Sequence, residues 1–289
     1  FVGGKRRRKW LSLVISFLFG GLALGALRPT NTWDFYTYLV FTGIILFYSI
    51  FTSYQFKNKL QFRYGEVLEK LIAAGLGVLF FVLLTILLYQ PFAYWYGQGY
   101  NKVGLWDGDR TPLGSYFTHW GLFLFIIISW LGWETYHWMK TTPASALDKL
   151  KPYLTWVYAI LILTVIGMAL FLVIGLPVGL VVLPIGLWTL MLILRPGQSD
   201  GGRFHLFMIG TALVLTLVVE LVYLSGDIGR MNTVFKFYLQ AWILFALGAG
   251  VSLSWLANTW RFWRRRLVFI WQATLYILVI SAALFTVMG

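Results

Sequence analysis

Carboxylates and cations occur close together in two parts of this sequence, each beside a long apolar stretch. The first is Arg28-Pro-Thr-Asn-Thr-Trp-Asp34. The second begins at Glu220 and contains Asp227, Arg230 and Lys236. Carboxylates near a membrane surface can act as general bases or bind metal ions, whereas Arg and Lys can bind lipid phosphates. Both parts are therefore candidate site segments.

Glu220 is the most unusual of these residues because it lies about one turn inside an apolar stretch. An ionisable group there is costly unless it is paired or faces a wet cavity, so we predict an ion pair with Arg230 or Lys236. A functional role and a purely structural ion pair remain equally open. In the long polar connection 91–116, three charged residues are predicted to be ordinary loop charges: Asp107, Asp109 and Arg110.

The other ligand-capable groups are few. Cysteine is absent, which excludes disulfides and thiolate chemistry. Glu134 and His137 have the i, i+3 spacing of bundle metal sites, but the further carboxylates of such a site are lacking, so we predict a hydrogen-bonded pair and no metal site. His119 lies near the opposite end of the same span from Glu134 and could join the candidate site that contains Glu220. His205 is assigned no special role.

The composition indicates that most of the protein lies in a lipid bilayer. Hydrophobic residues make up 60% of the 289 residues and charged ones 11%, and the mean hydropathy is +0.77. A spanning helix needs about 20 apolar residues. We therefore predict an all-α, polytopic transmembrane bundle with a tight hairpin at Gly175–Gly179. The nine predicted spans are 10–27, 37–55, 71–90, 117–138, 153–174, 177–194, 204–224, 235–257 and 267–288.

The charge distribution predicts the orientation. Most of the 23 Lys and Arg residues fall in connections on one side of the membrane, including 1–9 and 258–266. The positive-inside rule places that side, with the N-terminus, in the cytoplasm. The basic excess does not indicate nucleic acid, because no soluble basic face carries a readout motif. We expect one transmembrane domain, 1–289, that is part of a longer protein.

Three runs resemble the uncharacterised YYY family of polytopic membrane proteins, in the later part of the family's sequence. They are Gly226-Asp-Ile-Gly-Arg-Met-Asn-Thr-Val-Phe-Lys-Phe-Tyr238, Arg28-Pro-Thr-Asn-Thr-Trp-Asp-Phe35 and Arg110-Thr-Pro112. The triple tyrosine that gives the family its name is missing from this sequence, and so is the early outer loop in which GT-C enzymes usually keep a catalytic acidic residue. The resemblance implies a GT-C-like fold. GT-C enzymes move a sugar from a polyprenyl-phosphate carrier to an acceptor on the outer side.

The resemblance, together with the outer charges, suggests roles for individual residues. The catalytic candidates are Asp34, Asp227 and Glu220, with Asp34 or Asp227 as the base that activates the acceptor. The substrate-binding candidates are Arg28, Arg230 and Lys236 for the carrier phosphate, and Asn232, Trp33 and Tyr238 for the sugar. A divalent cation is an open option as cofactor, and the expected partners are membrane lipid and a polyprenyl-phosphate sugar.

Two other classes of function remain open. One is a non-enzymatic structural or assembly subunit, whose partners would be other membrane subunits or the missing part of the same protein. The other is a transporter. Paired acidic residues at mid-membrane depth would favour a transporter, but Glu134 and Glu220 lie near opposite ends of their spans.

Overall fold

The computed structural model describes residues 10–54, 63–96, 102–225 and 228–288 of the chain. Within these residues, nine helices are long and apolar enough to cross a membrane. This confirms the predicted polytopic all-α architecture and the number of spans. Helices dominate because the bilayer core offers no water to bond exposed main-chain groups, so each segment must satisfy its own.

The elements alternate long spans with short connections. Two 3-10 helices cover Ala144–Tyr153 and Trp260–Phe262. The other elements are α1 (Trp10–Gly25), α2 (Leu27–Thr30), α3 (Thr32–Ser53), α4 (Arg63–Leu88), α5 (Gln90–Trp95), β1 (Lys102–Leu105), α6 (Leu113–Thr141), α7 (Leu154–Val173), α8 (Pro177–Leu194), α9 (Asp200–Leu221), β2 (Val222–Ser225), α10 (Arg230–Ala257) and α11 (Arg265–Met288).

The chain divides into two compact units, Phe1–Asn101 and Lys102–Gly289. In the first unit, α1 and α3 pack against α4, around a core of Leu24, Phe35 and Phe81. Gly25 permits this approach, since a Cβ there would lie 2.3 Å from the Tyr89 ring. The Tyr89 hydroxyl donates to the Leu22 carbonyl at 3.0 Å. A small residue on α1 thus lets an aromatic side chain approach its backbone.

The second unit is built around α9. Helices α8 and α10 pack on α9, while α6 contacts α8, α10 and α11. Of the nine spans, the one on α9 has the largest buried share, 56% of its apolar window. Helix α7 is the opposite case, because it packs on α8 and has no buried residue. Apolar side chains on such a face are favourable in lipid, which is as apolar as they are.

The predicted hairpin between α7 and α8 is confirmed. Gly175 has φ +65°, and Leu176 N donates to Phe171 O at 2.7 Å while Gly175 N donates to Leu172 O at 3.3 Å. These two bonds form a Schellman motif, which requires a left-handed residue after the helix. Pro177 then begins α8, where its missing N–H is not needed.

A two-stranded antiparallel ribbon occupies part of the predicted polar connection 91–116. Lys102 pairs with Ser225 and Leu105 with Val222. Gly104 lies against the Tyr223 ring, which a Cβ would approach within 2.6 Å. Strands of four residues are too short to show a clear alternation of side chains. The ribbon joins the chain before α6 to the chain after α9.

Several predicted boundaries were wrong because charged turns belong to the helices. Arg28 lies in α2 and Asp34 in the first turn of α3, so the presumed loop between the first two spans is mostly helical. Glu220 lies in the last turn of α9 rather than a turn inside the span, because the helix ends at Leu221 and the predicted last residues of the span, 222–224, belong to β2. Arg230 begins α10, and Lys236 lies within it. A hydropathy window excludes such polar helix ends even though the hydrogen-bonded helix continues.

The hairpin yields a test of backbone conformation. We expect Gly175→Ala to lower the free energy of unfolding by roughly 1–2 kcal/mol, because a Cβ disfavours the left-handed region. Gly186→Ala on α8 is the matched control and should be neutral or stabilising, since alanine favours a helix interior. An added Cβ meets nothing within 4 Å at either position. Unfolding by SDS titration in mixed micelles measures both, and equal effects would contradict the backbone explanation.

Candidate functional site

The ribbon directs the chain over the end of α9. After β1, Trp106 N donates to Leu221 O at 2.8 Å, and residues 107–112 then cross to the start of α6. On the other side, Thr233 Oγ1 of α10 accepts a hydrogen bond from Leu224 N at 2.7 Å. We call the ends of α6, α9 and α10 beside the ribbon the ribbon end, and their opposite ends the far end.

The Glu220 carboxylate is fully buried at the ribbon end. Its Oε1 accepts hydrogen bonds from Arg230 Nη2 at 2.7 Å and from Thr111 Oγ1 at 2.5 Å. Its Oε2 accepts from Thr111 N at 3.0 Å. The predicted pairing of Glu220 with Arg230 is confirmed. Three donors on two oxygens satisfy the carboxylate in a place where an unpaired charge would be costly.

Arg230 is bonded on several sides. Its Nε donates to Val219 O at 3.3 Å, and its Nη1 donates to the main-chain carbonyl of Asp109. The guanidinium also lies over the Trp106 indole, 5.1 Å from the ring centroid. This arrangement joins a hydrogen-bonded fork to a cation–π contact, which lysine could not reproduce.

Arg110 is not an ordinary loop charge, so that prediction was wrong. Its Nη1 donates to the Glu220 main-chain carbonyl, and its Nη2 donates to Trp106 O at 2.7 Å. Asp107 and Asp109 do have exposed side chains, as predicted for loop residues. We call Glu220, Arg230, Arg110 and Thr111 the ion-pair clamp. The sequence did contain a signal for it, since Arg110-Thr-Pro112 is one of the runs that carry the family resemblance.

The predicted substrate residues of α10 lie next to the clamp. Asn232, Lys236 and Tyr238 are half-buried in the first turns of that helix. The Tyr238 ring lies 5.0 Å from that of Trp120 and 5.5 Å from that of His119. The clamp fixes the start of α10 and therefore the positions of these side chains. His119, which could join the outer site, is exposed beside Tyr238.

The remaining predicted site residues lie outside the described part of the second unit. Arg28, Trp33 and Asp34 belong to the first unit. Arg28 has a buried Nη1 without a hydrogen-bond partner, and the Trp33 ring lies 5.7 Å from that of Tyr36. Asp34 is favourably placed in the first turn of its helix. Asp227 lies outside the described residues. That Arg28, Trp33, Asp34 and Asp227 share a site with the clamp stays a prediction.

The far end carries two further polar groupings. Glu134 forms an ion pair with Arg195, whereas His137 is exposed, so the predicted Glu134–His137 pair was wrong. His205 is buried, with its Nε2 at 2.9 Å from Ser252 Oγ and its ring 4.6 Å from that of Trp130. It links α9 to α10 and α6. Within the described residues, no group of three or more His, Asp or Glu could hold a metal ion.

The fold and the clamp define a polytopic helical membrane protein with a rigid polar site at one end of its central helices. The model of the family described as "Uncharacterized membrane protein (DUF2298)" matches residues 2–245, and the chain belongs to that family. This is the YYY family domain, which confirms the resemblance at family level. No curated protein and no solved structure matched this chain. The matched range includes the whole clamp.

The clamp yields a stability prediction. We expect Glu220→Gln to reduce the free energy of unfolding by about 3 kcal/mol, because it leaves the Arg230 charge uncompensated in a mostly buried place. Glu66→Gln makes the same chemical change in the Glu66–Lys70 pair, where the glutamate side chain is 54% exposed, and should cost less than about 1 kcal/mol.

A double-mutant cycle in mixed micelles separates the pair from its surroundings. Combining Glu220→Gln with Arg230→Gln should recover part of the loss, because neither member of the pair is then left charged without the other. Strictly additive effects would contradict an energetic coupling between the two side chains.

Proposed function

We propose that the protein is a GT-C-like membrane glycosyltransferase that takes a sugar from a polyprenyl-phosphate carrier at the ribbon end, on the outer side of the membrane. The observation that supports this most is the clamp, which fixes the polar first turns of α10 at the end of apolar spans. A lipid carrier needs both parts, because its phosphate is charged while its chain is apolar. The excess of Lys and Arg in connections at the far end favours an outward-facing ribbon end.

The clamp acts in this proposal as a positioning device. The Glu220 oxygens already accept three hydrogen bonds, so Glu220 is better suited to hold Arg230 than to take a proton. The base is then Asp34 or Asp227. It accepts the proton of the acceptor hydroxyl, whose oxygen bonds to the anomeric carbon of the sugar. The bond from that carbon to the phosphate oxygen breaks, and polyprenyl phosphate leaves.

The residues around the clamp bind the substrate. Lys236, on α10 beside the clamp, stabilises the negative charge of the departing phosphate, as preorganised cations do in phosphate-leaving reactions. Asn232 and Tyr238 of α10 contact the sugar through hydrogen bonds and a ring face. The described residues supply no group of three metal-ligating side chains, so no step here is routed through a metal ion.

A second candidate function is that of a structural subunit in a larger membrane assembly. The exposed apolar length of α7 favours it, since the span Lys151–Val173 has none of its window buried. A partner helix could cover that surface as readily as lipid. The complete bonding of the Glu220 carboxylate within the chain also needs no ligand to explain it. In this case the ribbon end would have no activity of its own.

Carboxylate substitutions distinguish the two candidates. We expect Asp34→Asn or Asp227→Asn to reduce sugar transfer by about a hundredfold or more, the usual contribution of a general base. Asp107→Asn is the matched control in the ribbon-end loop and should keep full activity. The assay uses the purified full-length protein with polyprenyl-phosphate sugars and an acceptor.

The outcome decides between enzyme and subunit. Unchanged turnover in both Asp34→Asn and Asp227→Asn would overturn the assigned base. A stoichiometric complex whose activity persists without either carboxylate would support the structural role instead.

A further inference from the structure

The chain turns sharply at the far end between α10 and α11, in a segment that is rich in both Trp and Arg. The sequence of residues 260–266, which we call the arginine turn, is Trp-Arg-Phe-Trp-Arg-Arg-Arg. All four of its arginines, Arg261, Arg264, Arg265 and Arg266, are exposed. No Asp or Glu follows Asp227 in the sequence. The charge of the turn is therefore not compensated from its own part of the chain.

The other carboxylates at the far end of the second unit are already engaged. Glu134 pairs with Arg195, Asp148 pairs with Lys151 at 2.9 Å and Asp200 lies 3.6 Å from Arg203. Among the ion pairs of the described residues, none includes an arginine of the turn. Within the described residues of the second unit, the four arginines of the turn therefore have no carboxylate partner.

Aromatic packing holds the turn in place. The Trp263 ring lies 5.6 Å from that of Trp133 on α6, and the Trp260 ring lies 5.6 Å from that of Trp271 on α11. Trp271 is buried and donates from Nε1 to Ser129 Oγ at 2.8 Å. Tryptophan is favoured at the membrane interface, where one part of the ring is apolar and the other is wet. These aromatic contacts therefore hold the backbone that carries the four arginines.

A shallow, open recess of about 390 Å³ lies at the start of α11. It is lined by Arg265, Arg266, Phe269 and Ile270. Each apolar residue follows an arginine at i+4, so the two arginines lie one helical turn nearer the end of the span than Phe269 and Ile270. Phe269 and Ile270 are 72% and 60% exposed. A soluble phosphate would contact only the two arginines, whereas a phospholipid would also contact Phe269 and Ile270.

We propose that the arginine turn is a binding site for an anionic phospholipid. Its phosphate contacts Arg265 and Arg266, and an acyl chain lies along Phe269 and Ile270. Arginine clusters beside a spanning helix attract anionic lipids, and the guanidinium fork suits phosphate oxygens. The site lies on the side predicted to be cytoplasmic, where anionic lipid gives the leaflet its negative potential. It does not depend on the proposed transferase activity.

Lipid titration of the purified full-length chain in detergent, followed by native mass spectrometry, tests the site. Wild type should bind phosphatidylglycerol in preference to phosphatidylcholine. The double variant Arg265→Gln with Arg266→Gln should bind phosphatidylglycerol about thirtyfold more weakly, and each single variant about fivefold. Lys140→Gln with Lys151→Gln removes two exposed far-end charges elsewhere and should change binding by less than about threefold.

The controls make each outcome decisive. Melting temperatures establish that the variants are folded, and the single variants give the answer if the double variant is not. An equal loss in the lysine control would overturn the site in favour of general charge attraction. Equal binding of the two lipids would also overturn it. Displacement of phosphatidylglycerol by excess glycerol 3-phosphate, which has no acyl chains, would identify a soluble phosphate site instead.

Discussion

The last turn of α9, at the end of the most buried span, has three main-chain carbonyl oxygens that accept donors from outside their own helix. Val219 O accepts from Arg230, Glu220 O accepts from Arg110 and Leu221 O accepts from Trp106 N. An unbonded carbonyl near the bilayer would be costly. The ribbon, the loop over it and the start of α10 all depend on this requirement.

The charges of the clamp follow from the same helix end. The C-terminus of a helix carries partial negative charge, which makes it a poor place for a carboxylate and a good place for cations. Glu220 is therefore stable there only because Arg230 and Thr111 bond its side chain while Arg110 bonds its main chain. The positive charge of the two guanidinium groups exceeds the combined negative charge of the carboxylate and the helix end. The buried glutamate in turn orients Arg230 toward the loop, so the two segments specify each other's positions.

The sequence was sufficient for features that depend on local composition. Hydropathy predicted nine spans, and Gly175 followed by Pro177 predicted the hairpin, because left-handed backbone and a missing N–H act locally. The partner of Glu220 was also predictable, since a charge in a span needs one. The ribbon, the boundary of α9 and the role of Arg110 were not, because they depend on contacts between residues more than 100 positions apart. The predicted Glu134–His137 pair was wrong because the partner of Glu134 is Arg195, which is also distant in the sequence, 61 positions away.

The ion-pair clamp and the arginine turn use arginine differently, and this bears on where a ligand can bind. At the ribbon end, Arg110 and Arg230 donate hydrogen bonds to carbonyls and a carboxylate of the chain itself. They therefore fix the positions of the segments that they join. A ligand there would meet the side chains that the clamp positions, such as Asn232 and Tyr238, rather than the clamp. In the arginine turn, no ion pair of the described residues includes the guanidinium groups, and aromatic packing supplies the rigidity instead. Buried, bonded arginine thus organises the protein, while exposed arginine on a fixed aromatic support is available to the membrane.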